Sequence, residues 1–450
     1  MNRGSVNIGI RVSPNFYMTG LMLAMFFGAF CFYLGWNIGA VLLVAVAVVI
    51  VPLLAFTDRV VFDGKRLRRT GVLPRLWARF NDYYHILRVR DIEQVETQSM
   101  RALKRGGNVF YRYRTTITGR GLRFVVSSGG EDFRRLIRAV LGQLPNELLD
   151  NRSIELRDYL SDPKETLMKA DFVHIPSADV LEDSIRDFRR AELRRPLRFD
   201  GDPAKATELR QLGNELRLSG YLLQALEAFR RAQLITPEDN WLLFESARCL
   251  NSYALAERDE RLMRRSHAML RLVSRRATGD AELLARVGEC YFQFGDWGRA
   301  QSAFLRSAGL IDESFRAVRG MAEIALREGK LAHVIHNFIA ACRIAESPSL
   351  RRWSRSEADY FSRLNDDEEY LDMEVTRINL LETFARSKRT AIRIALLGFP
   401  TIFIGIVIDN TLVTNIGWAV AVIALIVWFS MIVAVNLFSS RVPFETLSDN

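Results

Sequence analysis

Four stretches of the sequence are apolar along almost their whole length, and they lie in pairs at the two ends of the chain. Residues 16–34 and 38–56 form the first pair, and residues 391–408 and 416–438 form the second. At 1.5 Å per residue, each is about long enough to cross roughly 30 Å of hydrocarbon as a helix. We therefore predict two transmembrane hairpins with four spans. The alternative for the first pair is a buried hairpin in a soluble core, but soluble helices usually carry a polar stripe.

Basic residues flank these stretches on one side only. Before the first span stand Arg3 and Arg11, and after the second stand Arg59, Lys65, Arg66, Arg68 and Arg69. Before the third span stand Arg386, Lys388 and Arg389, and after the fourth stands Arg441. Arginine and lysine are retained on the cytoplasmic side of a membrane. Both termini and the long middle region are therefore predicted to be cytoplasmic.

Composition agrees with a membrane-surface protein in a reducing compartment. The net charge of +10 favours anionic partners, of which a lipid surface is the simplest for a chain with spans. The four cysteines have no metal-ligand spacing and are expected to be small buried thiols.

Residues 58–149 alternate in a way that predicts a small β domain closed by one helix. Val109, Tyr111 and Tyr113 alternate with Phe110 and arginines, so that one strand face is mostly apolar and the other largely basic. Residues 86–95 are a further strand candidate. Apolar residues then recur at helical spacing, as Phe133, Leu136, Ile137, Val140, Leu141 and Leu144.

This order, strands and then one helix after a two-span hairpin, resembles the bacterial pleckstrin-homology-like membrane proteins. The resemblance implies a domain that binds lipid headgroups or proteins, in a bacterial inner membrane. Near an anionic leaflet, each basic residue contributes about 1 kcal/mol. The candidate headgroup residues are Arg101, Lys104, Arg105, Arg112, Arg114, Arg120 and Arg123. Ordinary solvated strand and loop charges are the alternative.

The middle of the chain repeats with a period of 34 residues. Gly329 follows Gly295 by 34 residues, and Phe338 follows Phe304 by the same interval. This pattern resembles the tetratricopeptide repeat, a pair of antiparallel helices. An earlier stretch has the same frame, with Leu209, Leu212, Gly213, Leu216, Gly220, Ala225, Phe229, Ala232 and Pro237. We predict four helix pairs, of which the second is degenerate and has a lengthened second helix.

The resemblance implies a concave groove lined by fixed positions of each first helix. Carried onto this sequence, those positions are Arg210, Asn214, Arg217, Glu282, Glu289, Phe292, Arg316, Arg319, Glu323 and Arg327. An excess of arginine favours an acidic or amphipathic protein segment as the ligand. The alternative is that this face packs on the protein's own connecting segment.

Motifs for catalysis or cofactor binding are not recognisable. His333 and His336 stand three residues apart on a predicted helix, without a further metal ligand nearby, and the acidic run at residues 366–369 suits a helix N-terminus. We therefore predict a non-enzymatic protein without catalytic, cofactor-binding or metal-binding residues.

The predicted fold is mainly α with a small β domain, in which two transmembrane hairpins flank a pleckstrin-homology-like domain and a tetratricopeptide solenoid. The predicted boundaries are 1–57 for the first hairpin, 58–149 for the β domain, 150–202 for a helical connector, 203–347 for the solenoid, 348–390 for a cap and stalk, and 391–450 for the second hairpin and tail. A helix starting at Ser177 is predicted within the connector.

The predicted function is that of a scaffold that recruits a protein partner through its repeats and contacts membrane lipids, without binding nucleic acid. Two alternatives stay open. The first is an accessory subunit that packs through its spans against other transmembrane subunits. The second is an anionic-lipid-binding protein that organises the membrane.

Overall fold

The computed structural model describes residues 7–12, 15–81, 85–105, 108–128, 130–182, 201–310, 314–439 and 441. This part of the chain is mainly helical, with a β region of two sheets and an array of paired helices. Its contacts divide it into a larger unit, Met1–Ala24 with Ala45–Ala358, and a smaller unit, Met25–Val44 with Asp359–Asn450. The predicted class, mainly α with a small β region and an array of helix pairs, is confirmed.

The first sheet begins before the first apolar helix. Strand β1 (Ile8–Arg11) pairs antiparallel with β2 (Arg59–Phe62), so helices α1 (Asn15–Tyr33) and α2 (Asn37–Thr57) are inserted between two neighbouring strands. The sheet continues with β3 (Arg66–Thr70) and β4 (Ile86–Arg88), in the order β1-β2-β3-β4. Helix α3 (Val72–Asn81) lies between β3 and β4 in the sequence. Sequence analysis did not predict β1, because four residues are too few to reveal an alternating pattern.

A buried carboxylate ties the helices α1 and α2 to this sheet. Asp58, at the end of α2, is fully buried and accepts a 2.7 Å hydrogen bond from the Tyr17 hydroxyl in α1. Arg69 of β3 donates two more hydrogen bonds, at 3.0 and 2.6 Å, to the two oxygens of Asp58. A paired geometry of this kind satisfies a charge that would be costly to bury alone.

The second sheet consists of β5 (Gln94–Arg105), β6 (Asn108–Gly119) and β7 (Leu122–Ser127), in that order. Residues 86–95 do not form the single strand predicted from the sequence. A short 3-10 turn at Val89–Asp91 separates β4 from β5 and moves the chain from one sheet to the other. Asp91 is buried at this turn and pairs with Arg120 and Arg352, at 3.1 and 3.4 Å.

The predicted closing helix is α4 (Gly130–Leu141). Its buried residues are Phe133, Leu136, Ile137, Val140 and Leu141, which are five of the six apolar positions recognised in the sequence. These side chains complete a core with both sheets that includes Phe62, Leu67 and Ile117. Two short helices follow, α5 (Asn151–Tyr159) and α6 (Pro163–Phe172). The helix predicted from Ser177 lies largely outside the described residues.

Four antiparallel helix pairs follow along the chain. Their helices are α7 (Pro203–Ser219) and α8 (Leu222–Ile235), α9 (Asn240–Glu257) and α10 (Glu260–Arg276), α11 (Ala281–Gln293) and α12 (Trp297–Ala308), and α13 (Phe315–Arg327) and α14 (Leu331–Ile344). Both helices of the second pair are long, with 18 and 17 residues, against 13 and 12 in the third pair. The extra residues of repeat two therefore lengthen both helices rather than the second alone.

Glycine and phenylalanine fix the packing within the repeats. A Cβ atom at Gly213 would lie 2.8 Å from the Phe229 ring, and one at Gly288 would lie 2.6 Å from the Phe304 ring. Real Cβ atoms do not approach other atoms so closely, so a larger residue at either position would require the phenylalanine ring to shift. This contact is the physical reason for the repeated glycine and phenylalanine in the sequence. It supports the tetratricopeptide type of repeat.

The smaller unit contains the second pair of apolar helices. Helix α15 (Pro348–Asp366) leads into α16 (Glu368–Val407), a continuous helix of 40 residues, and α17 (Thr411–Leu437) follows. The Trp418 ring packs against Phe26, Phe30 and Tyr33 within this unit. A Cβ atom at Gly398 would lie 2.8 Å from Ala421, so glycine permits close contact between α16 and α17.

Four of these helices, α1, α2, α16 and α17, are long and apolar enough to cross a membrane. Helix α2 contains a π-helical segment at Val46–Ile50. Pro400 lies inside α16, where it removes one backbone hydrogen bond.

Candidate protein-binding cleft

The concave face of the repeats contacts a segment of the same chain. The turn at Asn146–Leu148 and helix α5 lie against the first helices of the repeats. The Asn151 side-chain amide donates to the carbonyl oxygen of Arg286 in α11, at 3.3 Å. Part of the predicted groove is therefore lined by internal contacts, which agrees with the alternative that sequence analysis left open for this face.

The most deeply buried of these contacts is a charge cluster around Glu155 of α5. The Glu155 carboxylate pairs with Arg217 of α7 at 2.9 Å and with Arg248 of α9. All three side chains are at least nine-tenths buried. The Arg217 and Arg248 guanidinium charges lower the pKa of Glu155 against the opposing effect of burial, so this carboxylate is ionised. Arg217 is therefore part of an internal ion cluster and is not exposed at the surface of the predicted protein-binding groove.

Two further groove residues bind the neighbouring repeat. Arg210 donates two hydrogen bonds to Glu245 of α9, at 2.7 and 2.8 Å. The Asn214 amide donates to the same carboxylate at 2.8 Å, and Asn214 is fully buried. These contacts join repeats one and two, because Glu245 lies on the first helix of repeat two.

Arg316 is a fourth internal contact of the concave face. It pairs with Glu289 at 3.0 Å and donates to the carbonyl oxygens of Asn146 and Leu149, at 3.1 and 3.0 Å. Only 9% of its surface is exposed. Arg316 thus joins repeats three and four to the segment that precedes α5.

Beside this segment, the groove remains open as a cleft of about 560 Å³, which we name the partner cleft. One wall is the strand β5, with Ser99 and Met100, and the other consists of α11 and α13, with Phe292, Arg319 and Glu323. Arg319 donates to Glu323 at 2.9 Å and lies over the Trp353 ring at 5.1 Å, yet it remains partly exposed. Met100 is 49% exposed.

Two groove residues, Phe292 and Arg327, contact each other at the end of the concave face. The Arg327 guanidinium lies 4.7 Å from the centre of the Trp297 ring and 5.3 Å from that of Phe292. Arg327 is exposed, and Phe292 is half-buried. An exposed cation on two aromatic rings presents both charge and apolar surface to a ligand.

Asp150 is a buried acid on the sheet side of the partner cleft. It caps α5 by accepting from the Ser153 amide at 2.9 Å, and it accepts from the Thr97 amide of β5 at 3.3 Å. Burial, together with the nearby Glu289 charge, raises the pKa of Asp150 to about 6, although the hydrogen bonds from Ser153 and Thr97 lower it. The carboxyl is therefore half ionised near pH 6 and becomes fully charged only well above that pH.

The basic residues predicted to contact lipid lie on two faces of the second sheet. Arg112 and Arg114 are exposed on its outer face, and Arg123 lies on the same face through its register with Thr118. Arg101 pairs in register with Tyr111 and lies on the opposite face.

Of the other three predicted lipid contacts, Arg120 lies apart from this outer face. Arg120 pairs with Asp91 at the turn between the sheets. The side chains of Lys104 and Arg105 lie outside the described part of the chain. The structure thus brings Arg112, Arg114 and Arg123 together and separates them from Arg101 and Arg120.

Sequence analysis missed three residues of the concave face, Arg152, Glu155 and Arg248. Their roles depend on pairing across long intervals, such as the 93 residues between Glu155 and Arg248. The available signal was an acid between two apolar neighbours, Ile154 and Leu156, on a short helix. An acid in that setting is usually buried with a partner.

Within the described residues, histidine, cysteine and acidic side chains form no group of three that could hold a metal ion. Burial raises the pKa of Cys249 to about 12 and that of Cys290 to about 11, so both thiols stay protonated. These cysteines behave as small apolar side chains of the repeat core.

No protein-family model matches this chain, and a search of curated proteins finds no match. Among solved structures, it is similar to a thermophilic TPR protein of Thermus thermophilus, TTC0263, with 18% identity, 44% of this chain and 98% of that one covered, and a TM-score of 0.29. It is also similar to Pseudomonas aeruginosa pilF, with 17% identity, 48% and 89% covered, and a TM-score of 0.30. With TM-scores this low, the repeat type rests on the contacts within this structure.

Proposed function

We propose that this protein is a membrane-anchored scaffold whose partner cleft binds an extended segment of another protein. The observation that carries the proposal is the cleft of about 560 Å³ between a sheet edge and the concave face of repeats three and four. Its walls combine the apolar surface of Met100 and Phe292 with the charges of Arg319 and Glu323. Such a mixture suits an amphipathic segment better than a small apolar ligand.

The strand β5 offers backbone groups to such a segment. It is an edge strand, and its outer side pairs with Leu149 only at Val95. On this outer side the Thr97 amide also donates to the Asp150 side chain, and beyond Thr97 no further main-chain pairing is found within the described residues. An extended peptide can add to an edge of this kind through main-chain hydrogen bonds, while side-chain pockets select its sequence. The adjoining α11 and α13 supply those pockets in this proposal.

The anchoring part of the proposal rests on the four apolar helices. In this account, α1, α2, α16 and α17 span a bacterial inner membrane, and both termini, the β region and the repeats are cytoplasmic. The β region acts as a pleckstrin-homology-like domain, with the exposed Arg112, Arg114 and Arg123 toward anionic lipid. The non-enzymatic character and the domain boundaries given above belong to the same proposal.

Recovery of the partner on the full-length protein tests this function. We expect the Arg319→Glu variant, purified from native membranes in mild detergent, to recover the partner about tenfold less well than the wild type. Reversing a charge in a contact surface removes a favourable interaction and adds a repulsive one, so it weakens binding more than removing the charge would. Phe292→Ala is expected to act in the same direction through lost apolar contact. Quantitative mass spectrometry of the co-purified proteins is the readout.

Arg275→Glu is the matched control, since it makes the same charge change at an exposed residue of α10 outside the cleft lining. Its recovery should equal that of the wild type. Equal recovery by Arg319→Glu and Arg275→Glu, from equally stable proteins, would contradict the proposal.

A further inference from the structure

A second pocket lies on the other side of Arg152 from the partner cleft, between the inner face of the second sheet and the first two repeats. It has a volume of about 270 Å³, and we name it the arginine pocket. Its polar lining consists of Ser99, Arg101, Tyr111, Tyr113, Arg152, Arg217 and Ser252. Register explains the sheet side, because Ser99 pairs with Tyr113, and Arg101 pairs with Tyr111.

The lining of this pocket is strongly cationic. Three arginines line it, and none of the described lining residues is acidic. Arg101 donates to the carbonyl oxygen of Leu255 at 2.6 Å, and Arg152 donates to the Ser99 hydroxyl. Neither forms an ion pair with an acid of the described chain. The nearby Glu155 carboxylate is shared by Arg217 and Arg248.

Arg217, which lines this pocket, has one hydrogen-bond donor without a partner among the described residues. Its Nη2 contacts Glu155 and Asn214, but its Nε is buried without a partner among the described residues. A buried donor without an acceptor is costly, and so is a buried cluster in which several positive charges share one carboxylate. A ligand with several negative oxygens would offset both costs.

The two tyrosines add neutral hydroxyl groups beside the arginines. The Tyr113 hydroxyl donates to the carbonyl oxygen of Leu218 at 2.7 Å. Burial raises the pKa of both Tyr111 and Tyr113, so each keeps its proton and adds no negative charge to the pocket. Tyr111 and Ser252 therefore lie as hydroxyl groups beside the cationic wall.

We infer that the arginine pocket binds the phosphate group of a small phosphorylated ligand. Guanidinium groups match the oxygens of phosphate through paired hydrogen bonds, and three of them converge here from β5, α5 and α7. The pocket is far larger than the roughly 30 Å³ that a water molecule occupies in the liquid, which leaves room for part of an organic group. The phosphate can belong to a free metabolite or to a lipid headgroup.

Phosphate binding by the purified full-length protein in detergent tests this assignment. Calorimetric titration with inorganic phosphate and with glycerol 3-phosphate is expected to give saturable binding, with acetate as a carboxylate probe that binds far more weakly. Vesicles that contain phosphatidic acid form a second arm. Stronger retention on those vesicles than on neutral ones assigns the site to lipid phosphate, and tighter binding of glycerol 3-phosphate assigns it to a free ligand.

Arg101→Gln is the primary variant, because Arg101 lines the arginine pocket and not the partner cleft. We expect it to raise the dissociation constant for phosphate about tenfold, the scale of one lost charge-assisted hydrogen bond. Tyr111→Phe, which keeps the ring and removes only the hydroxyl, should weaken binding less. Arg275→Gln removes the same charge at an exposed residue of α10 outside both the arginine pocket and the partner cleft, and its phosphate binding should equal that of the wild type.

The inference is overturned if neither phosphate probe binds, or if acetate binds as tightly as phosphate. It is also overturned if Arg101→Gln and Arg275→Gln lose phosphate affinity equally. None of these measurements requires the protein partner, so they can fail while recruitment at the partner cleft succeeds.

Discussion

Replacing Glu155 by Leu should lower the free energy of unfolding by about 3–5 kcal/mol, which is the effect expected when one partner of a buried ion pair is removed. Arg217 and Arg248 would remain buried without their shared carboxylate. The contact of α5 with repeats one and two would weaken with it. The measurement is the urea midpoint of the full-length protein in detergent, followed by tryptophan fluorescence.

Two controls separate the charge effect from general fragility. Glu131→Gln alters an acid with 62% of its side chain exposed, in a surface pair with Arg135, and should change stability by at most about 0.5 kcal/mol. The triple variant Glu155→Leu, Arg217→Met and Arg248→Leu should regain most of the lost stability, because apolar replacements of a whole buried ion cluster are often neutral. A Glu155→Leu protein as stable as the wild type would mean that this cluster does not hold α5 in place.

Replacing Phe304 by Ala should lower the free energy of unfolding by about 3–5 kcal/mol, the usual range for truncating a buried phenylalanine. The ring is 1% exposed and fills the space left by Gly288 and Gly320 on two successive first helices. Its loss would open a cavity between repeats three and four, which form one wall of the partner cleft. Denaturant unfolding of the full-length protein measures the effect.

The neighbouring Leu305→Ala is the matched control, since Leu305 lies on the same helix and is 55% exposed. Its stability should fall by no more than about 0.5 kcal/mol. Phe304→Leu, which keeps much of the volume, should fall between the two. Equal losses for Phe304→Ala and Leu305→Ala would contradict the packing role given to the glycine and phenylalanine pattern.

Local patterns explain how much of this fold could be predicted. The Gly288 and Phe304 positions predict a helix pair because their contact lies within one repeat. The apolar runs predict four membrane-spanning helices because length and apolar composition are enough to recognise a candidate span. Strand β1 escaped prediction because it is recognised only through its pairing with β2, beyond a hairpin of two long helices.

The candidate site was less accessible to sequence reasoning, because it depends on which distant surfaces meet. The repeat frame assigns Arg217 to the concave groove, but only the structure reveals that Glu155 lies opposite it. Likewise, Arg101 was assigned to a lipid face and Arg217 to a protein groove, yet both line the arginine pocket. Side-chain alternation gives the face of a strand, but it does not tell what packs against that face.

Site-specific photo-crosslinking in native membranes tests most directly whether the partner cleft holds another protein. A photoreactive residue at Phe292 should give a covalent adduct with a second polypeptide, and that adduct should disappear when Arg319→Glu is added. The same residue at Leu305, exposed on the outer helix of that repeat, should not give the adduct. Crosslinks from Phe292 that are confined to the chain itself, or that match those from Leu305, would contradict the account.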